Sequence, residues 1–446
     1  MKLLHALLLT ALLLSACAPQ PTPPPAAPPG GTQVSPPRPA SPKPPNPSPM
    51  PPTPRPPSPP SPQKPPGYPP PSPGAGKPLQ PYPGPTGDSG MEMYNTQGKT
   101  SEVLPQETYL AQVYAETSPQ SAWVYQTTLD AALPAGQRYD MGAFCRLFPR
   151  SDGTGYDVIF GGAFDTREVP ETRRYEGDVH RALGNGLAFQ SEPQLFSNHG
   201  GDFAIDTDGQ FYYLLNAHPE GWRLGKYDPD FNLVKEVIVP LPAGHAGNDQ
   251  MLRVWEGRVY LSGLYNPDNP DMHSNKDAAP DATLYTHVWI YDTDLNPLED
   301  HVLDDEPNIN GGTLIPYGEG FAYLAADNIL HNHLYAFLYD ADWNFLGSKL
   351  LNEDGQWSMG ATVVDGRIYV AYHSGKHVQG DVWVDIYDTD WTLLDRIQVT
   401  QVEKGFNAQR PWVQVLGDRM FVSYDVSREP QGVVDFQCLV SVFEKR

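Results

Sequence analysis

The chain has 446 residues, and its 53 acidic and 30 basic side chains give a formal net charge of −23 at pH 7. The first 90 residues hold six basic residues and one acidic residue, which leaves 24 basic and 52 acidic residues, a net charge of −28, on the rest of the chain. A surface this acidic repels nucleic acids and anionic lipids, which excludes both as expected partners. An acidic surface also keeps a protein soluble, and solubility alone accounts for the excess of acidic residues.

The first 17 residues have the layout of an export signal. Lys2 supplies the positive start, and residues 3–14 form an apolar stretch that is too short to span a bilayer. Leu14-Ser15-Ala16-Cys17 resembles the lipobox of bacterial lipoproteins, which implies that Cys17 is acylated and holds the mature chain on a membrane outside the cytoplasm. Because Ala18 and not aspartate follows, we expect the outer membrane if the organism has one. An ordinary secretory signal is the alternative.

Residues 18–90 form a proline-rich linker that holds 33 of the 51 prolines and almost no large apolar side chains. Such a segment cannot bury enough surface to offset its ordering entropy, so we expect it to be disordered. In polyproline II conformation, at about 3.1 Å per residue, it would form a semi-rigid spacer of roughly 200 Å. A ligand for proline-reading domains is the alternative.

Residues 91–446 carry a repeat with a period near 50 residues, marked by an apolar strand that ends in Tyr-Asp-x-Asp. The full copies begin at Tyr227, Tyr291, Tyr339 and Tyr387; Tyr175 begins a variant copy, and Tyr125 and Phe443 begin degenerate copies. Hairpin sequences such as Glu256-Gly257 and Asp365-Gly366 lie upstream of the marker, and another short apolar strand follows it. Each unit is therefore predicted to contain four short antiparallel strands, A to D.

Repeated four-stranded units predict an all-β fold, a β-propeller with seven four-stranded blades. Ser101 to Leu133 would form the first blade, and Met91 to Asn95 would supply the strand that closes the last one. Six blades, with the region around Tyr125 as the closing strand, is the alternative. The layout resembles propellers of the loose YVTN or PQQ-like repeat type, without pointing to one family, and a fold alone does not give a function.

The Tyr-Asp-x-Asp turns admit two interpretations. Closely spaced carboxylates could bind calcium, but no full EF-hand spacing is present. A feature shared by every blade usually maintains the repeat, which favours a tight C-to-D turn in which the first aspartate caps backbone N–H groups.

The candidate ligand-binding or catalytic residues lie where D-to-A and B-to-C loops meet on one face of the propeller. They are His199, Asp202, His218, His245, Asn248, Asp249, Gln250, His273, Asn310, His331, His333, His373, His377, Gln409 and Arg410. Because A strands line the central axis, these polar side chains are expected to converge on one funnel, which is the usual location of a binding site.

Two functions compete for this funnel. We favour a non-catalytic site that binds a glycan, a peptide or an envelope protein, helped by aromatic residues such as Trp357 and Trp412. The alternative is a metal-assisted lyase or hydrolase acting on a glycan, in which pairs such as His331 and His333 hold a divalent metal or act as bases. Some seven-bladed polysaccharide lyases are similar in using histidines on this face. No Ser-His-Asp elbow, HExxH helix or phosphate loop is visible.

Besides Cys17, the chain contains Cys145 and Cys438. An exported protein could pair them. Because they are predicted to lie on strands of different blades, we expect both to be buried and unpaired, since α-carbons more than about 7 Å apart cannot be bridged.

Overall fold

The computed structural model describes residues 106–114, 117, 119–131, 144–150, 155–161, 179–185, 188–189, 194–197, 203–218, 220–247, 250–272, 283–304, 310–326, 333–353, 355–374, 380–428 and 437–446. All of them belong to the second of two units, Met1–Pro83 and Gly84–Arg446. The predictions for the signal, Cys17 and the whole linker of residues 18–90 therefore lie outside the described residues. Among those residues, no helix has the length and apolar character needed to cross a membrane.

The described strands form five four-stranded sheets and one sheet of five strands. The five-stranded sheet contains β2 (Arg146–Pro149), β3 (Tyr156–Gly161), β4 (Val179–Asn185), β5 (Ala188–Phe189) and β6 (Gln194–Ser197). The next two sheets contain β7 (Phe203–Thr207), β8 (Tyr212–His218), β9 (Gly221–Tyr227) and β10 (Leu233–Pro240), then β11 (Met251–Trp255), β12 (Arg258–Tyr265), β13 (Tyr285–Asp292) and β14 (Pro297–Leu303).

Two further sheets repeat this order. They contain β15 (Asn310–Tyr317), β16 (Gly320–Ala326), β17 (Leu334–Tyr339) and β18 (Phe345–Asn352), then β19 (Gly355–Val364), β20 (Arg367–Ser374), β21 (Asp381–Asp388) and β22 (Leu393–Gln398). The last sheet contains β23 (Phe406–Leu416), β24 (Arg419–Arg428) and β25 (Gln437–Lys445), with β1 (Trp123–Asp130) as its outer strand.

The sheets are arranged around a common axis as a β-propeller. The first strands of successive sheets, β2, β7, β11, β15, β19 and β23, pack against one another in that order, and β23 also packs against β2. The middle strands are buried on both faces: β12, β16 and β20 each contain an uninterrupted run of buried residues. The outer strands β10, β14 and β22 are mostly exposed. Apolar surface is thus buried between neighbouring sheets, as face-to-face packing requires.

The predicted number of seven four-stranded blades is wrong, and six regular blades are not found either, because one of the sheets has five short strands. The region around Tyr125 forms no blade of its own. It is the outer strand β1, which pairs antiparallel with β25, Tyr125 opposite Phe443. Upstream of it, the short helix α1 (Gln106–Leu110) and a bridge between Val113 and Thr400 replace the strands expected there. The N-terminal segment thus closes the last sheet, and residues 91–95, which were expected in this role, lie outside the described part.

The repeated turns have the structure that their sequences predict. Glu256 and Gly257 both have positive φ, as do Asp365 and Gly366, which is the conformation of a two-residue hairpin. In the C-to-D turn after β13, Asp292 Oδ1 accepts the backbone N–H groups of Asp294 and Asn296. The same pair of bonds occurs at Asp228, Asp340 and Asp388. The capping interpretation is therefore confirmed in these four turns.

The residue after each Tyr-Asp-x-Asp turn completes the marker. Phe231, Leu295, Trp343 and Trp391 all have positive φ, a conformation that costs free energy in a bulky side chain. Their side chains offset that cost by packing, since Trp343 stacks on His301 of the preceding sheet and Trp391 contacts Tyr317 of the preceding sheet. The marker therefore joins neighbouring sheets, which explains why it recurs.

The expectation that the two remaining cysteines are unpaired is wrong. Cys145 and Cys438 form a disulfide, with their α-carbons 5.4 Å apart. They are separated by 293 positions in the chain, but closure of the ring places the start of β2 beside the start of β25. The bond clamps the junction between the first and last sheets.

Candidate functional site

The axis of the propeller is occupied by a charged network to which every innermost strand contributes. Arg253 of β11 donates hydrogen bonds to Asp206 of β7, to the hydroxyl of Thr313 on β15 and to the carbonyl of Ala361 on β19. The guanidinium groups of Arg253 and Arg146 both lie over the ring of Trp412 on β23. The axial cluster comprises Arg146, Asp206, Arg253, Thr313, Arg410, Trp412 and Asp425.

Trp412 is the aromatic centre of this cluster. Its side chain is 1% exposed, and the guanidinium carbons of Arg146 and Arg253 lie 4.9 and 4.8 Å from its ring centre. Cation–π contacts of this kind contribute about 0.5–2 kcal/mol each. Gly360 also lies against the indole: an added Cβ there would lie 2.6 Å from the ring, so only glycine leaves room for it. Two cations are thereby held on one rigid ring.

Asp206 and Arg253 form an ion pair that joins two neighbouring innermost strands. Asp206 Oδ2 accepts hydrogen bonds from Arg253 Nε at 3.1 Å and from the backbone N–H of Val254 at 2.8 Å, and Oδ1 accepts the N–H of Thr207. Burial raises the pKa of Asp206, while Arg253 and the backbone donors oppose the rise. The carboxylate is fully engaged in joining β7 to β11.

Arg410 and Asp425 form a second ion pair, which lies at a β-bulge. The register of β23 against β24 shifts between Gln409 and Trp412, and Arg410 has a φ of 51°. Bulges redirect side chains and recur beside functional sites. Arg410 donates to Asp425 Oδ2 at 2.6 Å, and no other described residue donates a hydrogen bond to the buried Asp425 Oδ1. Burial raises the pKa of Asp425 to about 6, although Arg410 opposes the rise.

Arg146 is the cation of the cluster that has no carboxylate partner among the described residues. It is 5% exposed, and its NH1 group donates to the carbonyls of Cys145 and Arg410 at 3.1 and 3.0 Å. Burial lowers the pKa of Arg146 to about 10, since the nearby carboxylates of Asp425 and Asp206 only partly offset burial and the neighbouring arginines. With both carboxylates ionised, the three arginines leave the cluster with one excess positive charge.

The structure places the predicted site residues in several different environments. Arg410 belongs to the axial cluster, and Gln409 precedes it in the bulge. Gln250 and His373 are buried, and His218 ends β8 with its Nδ1 accepting the N–H of Glu220. His333 precedes β17 and contacts Tyr335, and Asn310 begins β15. His199, Asp202, Asn248, Asp249, His273, His331 and His377 lie outside the described residues.

His245, one of the candidate residues of the funnel, is buried beside His287. It is 5% exposed, stacks on Tyr265 and shares a hydrogen bond of 2.8 Å with His287, whose other ring nitrogen lies 2.9 Å from Asp300. His245 Nδ1 faces the carbonyl of Pro242, so it carries a proton. Burial and the neighbouring His287 lower the pKa of His245 to about 4, and burial also lowers the pKa of His287.

This arrangement engages every ring nitrogen of His245 and His287, so neither imidazole is free to hold a metal ion. Within the described ranges, no group of three or more histidine, cysteine or acidic side chains has the geometry of a metal site. The divalent metal suggested by the sequence therefore has no ligand set in this part of the chain.

Sequence reasoning missed Arg146, Asp206, Arg253 and Asp425 because it searched loops for polar residues. A signal was present in the strands. Asp206 ends the apolar segment Phe203-Ala204-Ile205, and Asp425 interrupts the segment Tyr424-Asp425-Val426. A charge in a buried strand requires a partner of opposite sign, so such positions predict a buried ionic network.

No family model and no curated protein matches the chain. Among solved structures, the Trypanosoma rangeli sialidase is similar with a TM-score of 0.47 and 11% identity, over 74% of this chain and 59% of the sialidase. A variant of the GH43 protein BlXynB from Bacillus licheniformis has a TM-score of 0.38 and 12% identity, over 53% of this chain and 51% of that chain.

The xylan β-1,4-xylosidase of Bacillus halodurans is similar with a TM-score of 0.39 and 12% identity, over 53% of this chain and 52% of the enzyme. The chain thus spans about half the length of the two Bacillus proteins. These likenesses assign neither an activity nor a ligand to this chain.

Proposed function

We propose that this chain is an exported, lipid-anchored β-propeller that binds a ligand at its axis, and that the axial cluster is the binding site. The observation that carries the proposal is the convergence of side chains or carbonyls from every innermost strand on one buried network of three arginines, two aspartates and a tryptophan. Convergent polar groups beside an aromatic surface on a rigid scaffold are the usual make-up of a ligand site.

The location of the protein is part of this proposal. Disulfides persist in oxidising compartments, and the bond between Cys145 and Cys438 agrees with a chain that functions outside the cytoplasm. The lipobox at Cys17 would attach it to the membrane, and the proline-rich segment of residues 18–90 would separate the propeller from the lipid. Ligands of an envelope-bound protein include glycans, peptides and other envelope proteins.

The ligand test compares two matched substitutions. The full chain is purified in detergent and applied to an array of neutral and acidic oligosaccharides and peptides. We expect saturable binding of at least one ligand, which Arg410→Met weakens at least tenfold because Arg410 belongs to the axial cluster. Arg258→Met, which removes an exposed arginine paired with Glu299 on the outer part of the β11–β14 sheet, should leave it unchanged. Equal losses in both variants would refute the axial site.

The anchor is tested separately. Cys17→Ser removes the residue that the lipobox assigns to acylation, so the variant should leave the membrane fraction and become soluble without detergent. A variant that stays in the membrane fraction would overturn the anchoring proposal without touching the ligand site.

Glycan cleavage is the second candidate function, and one observation favours it. Asp425 has a pKa raised to about 6 and an Oδ1 that accepts no hydrogen bond from another described residue, which suits a carboxyl group that donates a proton near neutral pH. If the propeller cleaves a bound glycan, Asp425→Asn should abolish release of new sugar ends and leave binding within a few-fold of the unmodified chain. Cleavage that survives this substitution would remove Asp425 from the reaction.

A further inference from the structure

We infer that the axial cluster recognises one carboxylate group of its ligand and that Arg146 is the residue that pairs with it. The ligand class is then a sugar acid or another organic acid with a single carboxylate at the recognised end. This inference rests on the proposed function, since it takes the axial cluster as the ligand site.

The first step is the balance of charge. Asp206 is matched by Arg253 and Asp425 by Arg410, through contacts of 3.1 and 2.6 Å. Arg146 has no ion-pair partner among the described residues, although only 5% of its surface is exposed. A buried charge without a counterion is costly, and one monoanion would neutralise the cluster. The cluster thus has an excess of positive charge in a chain whose net charge is −23.

The second step is the set of donors that Arg146 still offers. A guanidinium has five N–H donors, and the two on NH1 point at the carbonyls of Cys145 and Arg410. The Nε–H group and NH2 remain, and no described residue accepts a hydrogen bond from them. These two nitrogens form the side of the guanidinium that matches the two oxygens of a carboxylate. The carbonyl contacts fix the orientation of this free side.

The third step is the choice among anions. A single excess charge matches a carboxylate, whereas a phosphate monoester carries about two charges near neutral pH. The planar free side of Arg146 fits two coplanar oxygens better than a tetrahedral group. Trp412 holds the Arg146 guanidinium at 4.9 Å, so the fork is already oriented before a ligand arrives.

The cluster should bind its anion more tightly in mild acid. The groups that face Asp425 are Arg410, through a hydrogen bond, and Arg146. Below a pH of about 6 Asp425 becomes protonated, and the excess positive charge of the cluster rises from one to two. Affinity for a sugar acid that stays ionised should therefore increase between pH 7 and pH 5.

The test measures binding of monosaccharides to the full chain in detergent by titration calorimetry. The probes are galacturonic acid, its methyl ester, galactose and galactose 6-sulfate. We expect galacturonic acid to bind with a Kd of roughly 1 mM and the two uncharged sugars at least tenfold more weakly. The sulfate ester, which is singly charged but tetrahedral, should also bind at least fivefold more weakly.

Two substitutions at Arg146 keep the test decisive. Arg146→Met removes charge and donors, and Arg146→Lys keeps the charge but removes the two-nitrogen side. Both should weaken galacturonic acid binding at least tenfold, and Arg258→Met should not change it. If Arg146→Met fails to fold, the lysine variant gives the answer. Full affinity in the lysine variant would overturn the role of the two-nitrogen side.

The outcomes also separate this inference from the proposed function. Equal binding of galacturonic acid, its methyl ester and galactose, all sensitive to Arg410→Met, would refute carboxylate recognition and keep the axial site. If neither Arg146→Met nor Arg410→Met changes the binding of galacturonic acid, both the carboxylate inference and the proposed axial site are refuted.

Discussion

Aspartates at the axis and aspartates at the C-to-D turns of this propeller lie in opposite environments. Asp425 is fully buried, and burial raises its pKa to about 6. Asp292 and Asp340 are partly exposed, and hydrogen bonds from Asn296 and Asn344 lower their pKa values. The turn aspartates recur in four sheets and hold backbone N–H groups, whereas each axial residue occurs once. Repeated residues thus maintain the fold, and residues that break the repeat supply the candidate site.

The largest effect is expected from the repeated marker. Tyr339 is 1% exposed and packs against Phe345 and Trp343. Replacing it with alanine should lower the free energy of unfolding by about 3–5 kcal/mol, the usual cost of truncating a buried aromatic residue. Chemical denaturation measures this loss. If Tyr339→Ala cost less than about 1 kcal/mol, the marker would not be structural.

The next effect concerns the junction of the first and last sheets. Replacing Cys145 and Cys438 together with serine should lower the free energy of unfolding by about 2–5 kcal/mol, because the disulfide closes a very long loop in the unfolded chain. Addition of a reducing agent should reproduce the loss in the unmodified protein. An unchanged melting temperature on reduction would mean that β1 and the packing of β2 against β23 secure the closure without the disulfide.

The pH dependence of stability separates the two kinds of aspartate. Asp425 has a folded pKa above its unfolded value, so it binds a proton on folding, and its contribution should become more favourable as the pH falls from about 6 to 4. The turn aspartates have lowered pKa values, so their contribution is lost as the pH falls below about 4. Denaturation curves between pH 3 and pH 7 test both signs.

Asp425→Asn is the control for that measurement. It should remove the part of the gain between pH 6 and pH 4 that Asp425 supplies and leave the loss below pH 4 in place. His245 and His287, whose pKa values are lowered, act in the opposite direction, since their contribution is lost as the pH falls through the histidine range. A difference curve between the variant and the unmodified protein cancels the histidine contribution. A flat difference curve would contradict the raised pKa of Asp425.

Local features of the fold could be predicted from the sequence, and features that depend on ring closure could not. The hairpins at Gly257 and Gly366 and the capped turns follow from a few adjacent residues. The number of blades, the outer position of β1 and the pairing of Cys145 with Cys438 depend on which distant segments become neighbours. Seven aromatic markers suggested seven blades. The number is wrong because the marker in β1 and the marker in β25 belong to a single sheet.

The candidate site likewise contains residues that could be predicted from the sequence and residues that could not. Arg410 was predicted because it lies at the entry to an A strand, and the structure places it beside Asp425. Arg146 and Arg253 were not predicted, because they lie far apart in the sequence and their importance comes from meeting at the ring of Trp412. His245 was assigned to the same funnel, yet its contacts are with His287 and Tyr265. Polarity alone did not separate residues at the axis from residues buried within a sheet.

The smallest effect on stability and the largest on binding should come from one substitution, Arg146→Met. The substitution removes two hydrogen bonds from Arg146 to carbonyls, but it also removes the cost of burying an unpaired cation. Because these two effects oppose each other, the free energy of unfolding should change by less than about 1 kcal/mol. Binding of galacturonic acid should fall at least tenfold in the same preparation. A loss of several kcal/mol with unchanged binding would show that Arg146 is structural and that the axial cluster is not a ligand site.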